Sequence, residues 1–141
     1  MDLLTLLELC GPWLLLGVVT HPTAVRDGVC NFVVDQVDEG TPPGKLIFQT
    51  AGGVTVATLT FSATAFGNSS SGTATANAIT SDTNAVGGTI AKAELRNAAG
   101  TAKVLCSVTA TGGGGDIQLS SVVVSAGQTV SVSSLTYSSP A

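Results

Sequence analysis

Beyond Gly40 the chain alternates small apolar residues with Thr and Ser in short runs broken by glycine clusters. It carries only Lys45, Asp82, Lys92, Glu94, Arg96, Lys103 and Asp116 as charged side chains there. A period of two places one set of side chains on a buried face and a hydroxyl-rich set on the other, which is the pattern of half-buried strands. Proton transfer, nucleophilic attack and metal binding need titratable groups that such a stretch scarcely contains, so a structural or binding role is favoured over catalysis.

A chain of 141 residues is expected to form one domain. Its aromatics are Trp13, Phe32, Phe48, Phe61, Phe66 and Tyr137, so the core must be built largely from small side chains and must lean on sheet pairing. The net charge of −4 is unevenly spread. Residues 1–39 hold Asp2, Glu8, Asp27, Asp35, Asp38 and Glu39 against Arg26 alone, whereas the remainder is close to neutral. No basic stripe follows a phosphate backbone, so nucleic acid is not an expected partner. The acidic first third suits a basic protein surface or a solvated helix face. Cys10, Cys30 and Cys106 match no zinc, redox or disulfide spacing, and Cys106 shares its strand parity with Val104 and Val108, as a small buried hydrophobe would.

Leu3 to Val19 is an apolar run. Glu8 and Gly11-Pro12 interrupt it, which argues against a membrane span. The lack of Lys or Arg before Arg26, with Asp2 at the front, argues against a secretory leader. Residues 1–22 are therefore expected to be a retained apolar arm or a packed helix, buried on the domain or on another subunit. Leu3, Leu6, Leu7, Trp13, Leu14 and Leu15 are its candidate assembly contacts.

Residues 23–40 read as an amphipathic helix. Val25, Val29, Phe32, Val33 and Val37 follow one face, Thr23 after Pro22 is the expected N-cap, Asp27 is expected to favour the first turn, and Gly40 with Pro42-Pro43 stops the helix. Residues 41–141 are expected to be a β domain. Candidate strands are Lys45–Thr50, Val54–Phe61, Thr73–Ile79, Thr89–Asn97, Thr101–Ala110, Ile117–Ser125 and Gln128–Tyr137, with Ala63–Phe66 as a possible eighth. Ala98-Ala99-Gly100 reads as a three-residue hairpin loop, Gly112–Gly115 as a flexible turn, and the parity change after Val132 as a bend near Ser133-Ser134. The expected class is all-β: an antiparallel sandwich of seven or eight strands, with a jelly roll as a good candidate, preceded by a helical segment.

His21 is the only histidine, so a His-dependent triad or multi-histidine metal site is not expected. Asp35, Asp38 and Glu39 lie at i, i+3 and i+4. That spacing fits a solvated helix end better than a cation site, and it makes them candidate assembly contacts. Gly112 to Asp116 lacks the Lys of a phosphate loop, Asn68-Ser69-Ser70 fits a glycosylation sequon, and no Gly-x-Ser-x-Gly elbow occurs. No catalytic residue, cofactor or metal is expected.

Two stretches carry a resemblance. The run Val33-Val34-Asp35-Gln36-Val37-Asp38-Glu39-Gly40-Thr41-Pro42-Pro43-Gly44-Lys45-Leu46 is the first. The second is Gly72-Thr73-Ala74-Thr75-Ala76-Asn77-Ala78-Ile79-Thr80-Ser81-Asp82, with Ala98 to Ala102 and Ala126 to Val132. Over roughly residues 24–138 the chain resembles head-decoration, or cement, proteins of tailed bacteriophages, a family that includes jelly-roll members. The resemblance implies a virion structural protein on the outer surface of an icosahedral head. Such a protein bridges neighbouring major capsid proteins, holds the shell against internal DNA pressure and assembles as a dimer or trimer, with no membrane partner. A tail or neck β-sandwich uses the same composition. A secreted adhesin or carbohydrate-binding module would need an aromatic platform and a cleaved leader. On the cement reading, deletion of residues 1–22 weakens particle binding or oligomerisation while the β domain still folds.

Overall fold

The computed structural model describes residues 19–41 and 43–141. Helix α1 (Thr23–Asp35) runs into one 3-10 turn, Gln36–Asp38, and ten strands follow. They are β1 (Lys45–Gln49), β2 (Thr55–Phe61), β3 (Thr73–Thr75), β4 (Ile79–Thr80), β5 (Gly88–Thr89), β6 (Lys92–Arg96), β7 (Ala102–Ala110), β8 (Ile117–Leu119), β9 (Val123–Val124) and β10 (Thr136–Ser138). Six of them form one sheet in the order β4-β2-β1-β6-β7-β8, and β10–β3 and β5–β9 form two small ribbons.

Strand β1 is central because its sequence, Leu46-Ile47-Phe48-Gln49, leaves no residue for water: all four are buried. Its register explains the packing. Leu46 lies opposite Leu59 of β2 and Leu95 of β6, and Leu95 in turn opposes Val104 of β7. One step along, Phe48 stands between Ala57 and Ala93. A large ring flanked by two methyl groups fills the row without collision, so the small-residue composition is a condition for seating the few aromatics. Phe61 and Phe66 close the core with ring centroids 5.7 Å apart.

The mostly-β expectation holds, and the antiparallel sandwich is corrected in one place. Strands β7 and β8 pair in parallel, Val108 with Ile117 and Ala110 with Leu119, so the main sheet is mixed. Parallel neighbours usually need a crossover of a dozen residues. Here Thr111–Asp116 suffices, because Gly112 and Gly114 take positive φ of 86° and 78° and the loop lies directly on Thr109. A Cβ at Gly113 or Gly115 would come within 2.7 or 2.9 Å of the Thr109 side chain. The expected flexible turn is instead tied down: Gly112 N–H donates to Gln118 Oε1 (2.8 Å) and Gly115 N–H to Thr109 Oγ1 (3.0 Å).

Several long strands of the sequence reading are divided. Thr73–Ile79 separates into β3 and β4 in different sheets, Thr89–Asn97 into β5 and β6, and Ile117–Ser125 into β8 and β9. Of Gln128–Tyr137 only its end is strand, with Val130 bridging Asp82. Each break falls where a chain must pass from one sheet to another. The β6–β7 loop is as expected, with Gly100 at φ 85° and Gly100 N–H bonded to Asn97 O (2.9 Å). A bend at Ser133 lets both Val132 and Leu135 reach the core.

Helix α1 begins differently from the expectation. Pro22, extended at φ −56° and ψ 153°, is the N-cap residue and its carbonyl accepts from Val25 and Arg26 N–H; no side chain caps the helix, and no acid lies in the first turn. The buried stripe is Cys30, Val34 and Val37. Of the face expected to be buried, Val25, Val29 and Phe32 are exposed and Val33 is half-buried. Both stripes have i, i+4, i+7 spacing, so hydrophobic period alone does not select between them.

Candidate functional site

Three of the acidic residues of the helix region, Asp27, Asp38 and Glu39, face the domain itself. Asp27 carries the turn between Ser70 and Thr73: its Oδ1 accepts from Gly72 N–H (2.6 Å) and from the Ser69 hydroxyl (2.8 Å). Asn31 Oδ1 accepts from Ser69 N–H (2.7 Å). The turn is tight because Ser71 and Gly72 both take positive φ, 55° and 77°, and Arg26 lies so close that a Cβ on Gly72 would sit 2.9 Å from its Nε. The Gly72 N–H, and then the Ser69 hydroxyl, hold the Asp27 carboxyl below the usual range.

Asp38 accepts from Ala65 N–H (2.8 Å), and Glu39 pairs with Lys103 (2.7 Å) and accepts from Asn97 Nδ2 (3.3 Å). Lys103, and then Asn97, lower the Glu39 carboxyl. Asp35 is exposed. The triplet Asp35, Asp38 and Glu39 therefore does not converge. Two of its members reach different segments of the β domain, and among the described residues no three His, Cys, Asp or Glu side chains gather where they could hold a metal ion. Leu3, Leu6, Leu7, Trp13, Leu14 and Leu15 lie outside the described residues.

An open cleft of about 390 Å³ lies between β7, β8 and the C-terminal strand β10. Its apolar lining includes Leu95, Val104, Ile117 and Leu135, with Cys106 and Tyr137 at its side. Cys106, Asp116 and Tyr137 are its titratable groups. Burial, reinforced by the Asp116 charge, raises the Cys106 thiol, which keeps it protonated and unreactive at neutral pH. Asp116 is held low by the N–H and hydroxyl of Ser107, which both donate to its Oδ2, at 2.8 and 2.7 Å. Burial also raises Tyr137. The apolar lining of the cleft suits contact with an apolar group. Its signal in the sequence was the parity change between Val132 and Leu135, which carries Leu135 and Tyr137 across to it.

The remaining surface offers apolar groups and strand edges. Leu105 is 73% exposed and Phe32 68%, and Val54, Val86 and Val123 also stand in solvent. Strands β4 and β8 are the free edges of the main sheet, with two and three residues respectively. Among the described residues no helix is long and apolar enough to cross a membrane. No family model matches the chain, and no curated protein or solved structure matches it either.

Proposed function

We propose that this chain is a non-enzymatic capsid decoration subunit of a tailed bacteriophage, with a jelly-roll-like body that binds the outside of the head and bridges major capsid proteins. The observation that carries this reading is a division of labour. Asp27, Asp38 and Glu39 of the helix region and Asp116 of the cleft are engaged inside the chain, whereas Asp35, several apolar side chains and the strand edges are left outward. Such a surface gains little from any single contact and much from many symmetry-related ones. Edge pairing and the N-terminal apolar region supply the contact, in a dimer or trimer. The composition and the resemblance of residues 24–138 support the same assignment.

An adhesin or carbohydrate module fits less well, because among the described Phe and Tyr rings Phe32 alone is exposed. A tail or neck position uses the same surface. Imaging labelled protein on particles separates the two: copies distributed over the head lattice are expected, and label confined to the tail or neck, or no binding to heads, overturns the reading. In the same assay a chain lacking residues 1–22 is expected to occupy fewer head sites, and equal occupancy removes that region from the contact.

A further inference from the structure

Strand β8 covers β7 only from Val108 to Ala110, which leaves the edge of β7 ahead of Ser107 open. Main-chain groups point alternately to the two edges of a strand. Val108 N–H donates to Ala91 O on the β6 side, and Ser107 N–H turns the other way, to Asp116 Oδ2. Leu105, two residues earlier, therefore points its N–H and C=O away from β6 and past the end of β8, where no strand pairs with it among the described residues.

Strand β10 is open in the same way. Leu135 O accepts from Ala76 N–H and Ser139 N–H donates to Gly72 O, so these odd-numbered positions face β3. The alternation puts the N–H and C=O of Thr136 and Ser138 on the far edge. The 390 Å³ cleft lies between the two strands, and three consecutive residues of each line it, Val104-Leu105-Cys106 and Thr136-Tyr137-Ser138. A cavity on one face of a sheet meets every second residue of a strand; consecutive ones mean that β7 and β10 present their edges to it.

Three features define what fits. Unpaired main-chain groups on both walls call for another backbone, which a small apolar molecule does not supply. The apolar floor of the cleft on one side of β7, and Leu105, 73% exposed, on the other, call for apolar side chains on both faces of that backbone. Asp116 is the sole charged residue of the lining and Ser107 engages only its Oδ2, so the end of the segment beside it favours Lys or Arg over Asp or Glu.

We propose that this cleft binds an extended segment of a partner protein, apolar along its length and basic at its end, as an added strand between β7 and β10. This binding mode does not rest on the capsid reading, and a peptide tests it without particles.

The probe is a labelled, capped peptide, Lys-Val-Thr-Val-Ile-Val-Lys, titrated with the full chain and read by fluorescence anisotropy. Saturable binding below millimolar protein is expected. N-methylation of every second residue, in either of the two alternate sets, keeps the side chains, removes main-chain donors and should weaken binding at least about tenfold. Ser138→Pro removes the outward N–H of β10 and Leu105→Pro that of β7. Proline is tolerated where the lost N–H faces away from the neighbouring strand, so each variant should keep native circular dichroism and bind less tightly. Should both variants unfold, the N-methylated peptides decide. Glutamate in place of the peptide lysines should also weaken binding, Asp116→Asn should erase that difference, and Val86→Ser, outside the cleft, should change nothing. Absence of saturable binding, equal binding of the N-methylated peptides, or binding indifferent to both folded proline variants overturns the proposal. A dimer in sedimentation that Leu105→Pro dissociates overturns it in favour of a second copy.

Discussion

Strand β1 and helix α1 are neighbours in sequence, and they are held by opposite means. Around β1 the row Leu59, Leu46, Leu95 and Val104 and the row Ala57, Phe48, Ala93 and Cys106 supply apolar contact on a strand paired along both edges. Around α1 only Cys30, Val34 and Val37 are buried, and Asp27, Asn31, Asp38 and Glu39 complete the seat through hydrogen bonds and one ion pair. Burial around β1 is indifferent to proton concentration and depends on volume. The seat of α1 depends on charge state and on backbone N–H groups presented by distant loops.

The sharpest way to break the first region is to empty it. Phe48→Ala removes a fully buried ring whose alanine neighbours cannot close the gap, and should destabilise the chain by about 3–5 kcal/mol in urea unfolding. Next is the junction between the two regions. A Cβ on Gly44 would lie 2.5 Å from Arg96 O and 2.6 Å from Val37 O, both backbone atoms that cannot swing aside. Gly44→Ala should cost about 1–3 kcal/mol and loosen the 3-10 turn from the sheet, seen as faster amide exchange at Val37 and Arg96.

Acid should then separate the regions without mutation. Asp27 and Glu39 have folded pKa values below their ordinary ones. The stability they contribute is therefore complete above the usual carboxylate range, around pH 4, and is lost as pH falls through the depressed values. Amides of α1 should lose exchange protection on acidification before those of β1. Asp27→Asn should flatten that loss, and an unchanged acid profile would contradict the assigned seat. The smallest effect is expected at Leu105→Ser, on the exposed face of β7: within about 0.5 kcal/mol by the same urea titration.

The β1 region was readable in the sequence, because the apolar β-prone runs Lys45–Gln49 and Val54–Phe61 flank the Ala51-Gly52-Gly53 turn. The helix was readable in extent, and its buried face was not. A short helix with Val25, Val29 and Phe32 on one side and Cys30, Val34 and Val37 on the other satisfies two stripes equally, and the choice is made by residues far along the chain. The parallel pairing of β8 was hidden for a related reason. A tetraglycine run suggests freedom, whereas its conformation here is fixed by the Thr109 side chain and by Asp116 reaching back to Ser107. The roles of Asp38 and Glu39 were equally out of reach of local pattern, since Ala65, Asn97 and Lys103 are brought to them only by the fold.

The Cys30 thiol donates to the carbonyl of Tyr137 at 3.5 Å, across 107 residues. A chain made from its N-terminus produces the helix first and the strand that covers it last, and the Ser69–Gly72 turn arrives in between. Until synthesis reaches β10, the Cys30 face of α1 remains without a complete partner, although each strand pair of the main sheet has already emerged. A nascent chain therefore keeps the Cys30 face of α1 uncovered until its last strand is made. A chain cut short before β10 would keep that surface on display, so exposure of Cys30 distinguishes unfinished molecules from finished ones.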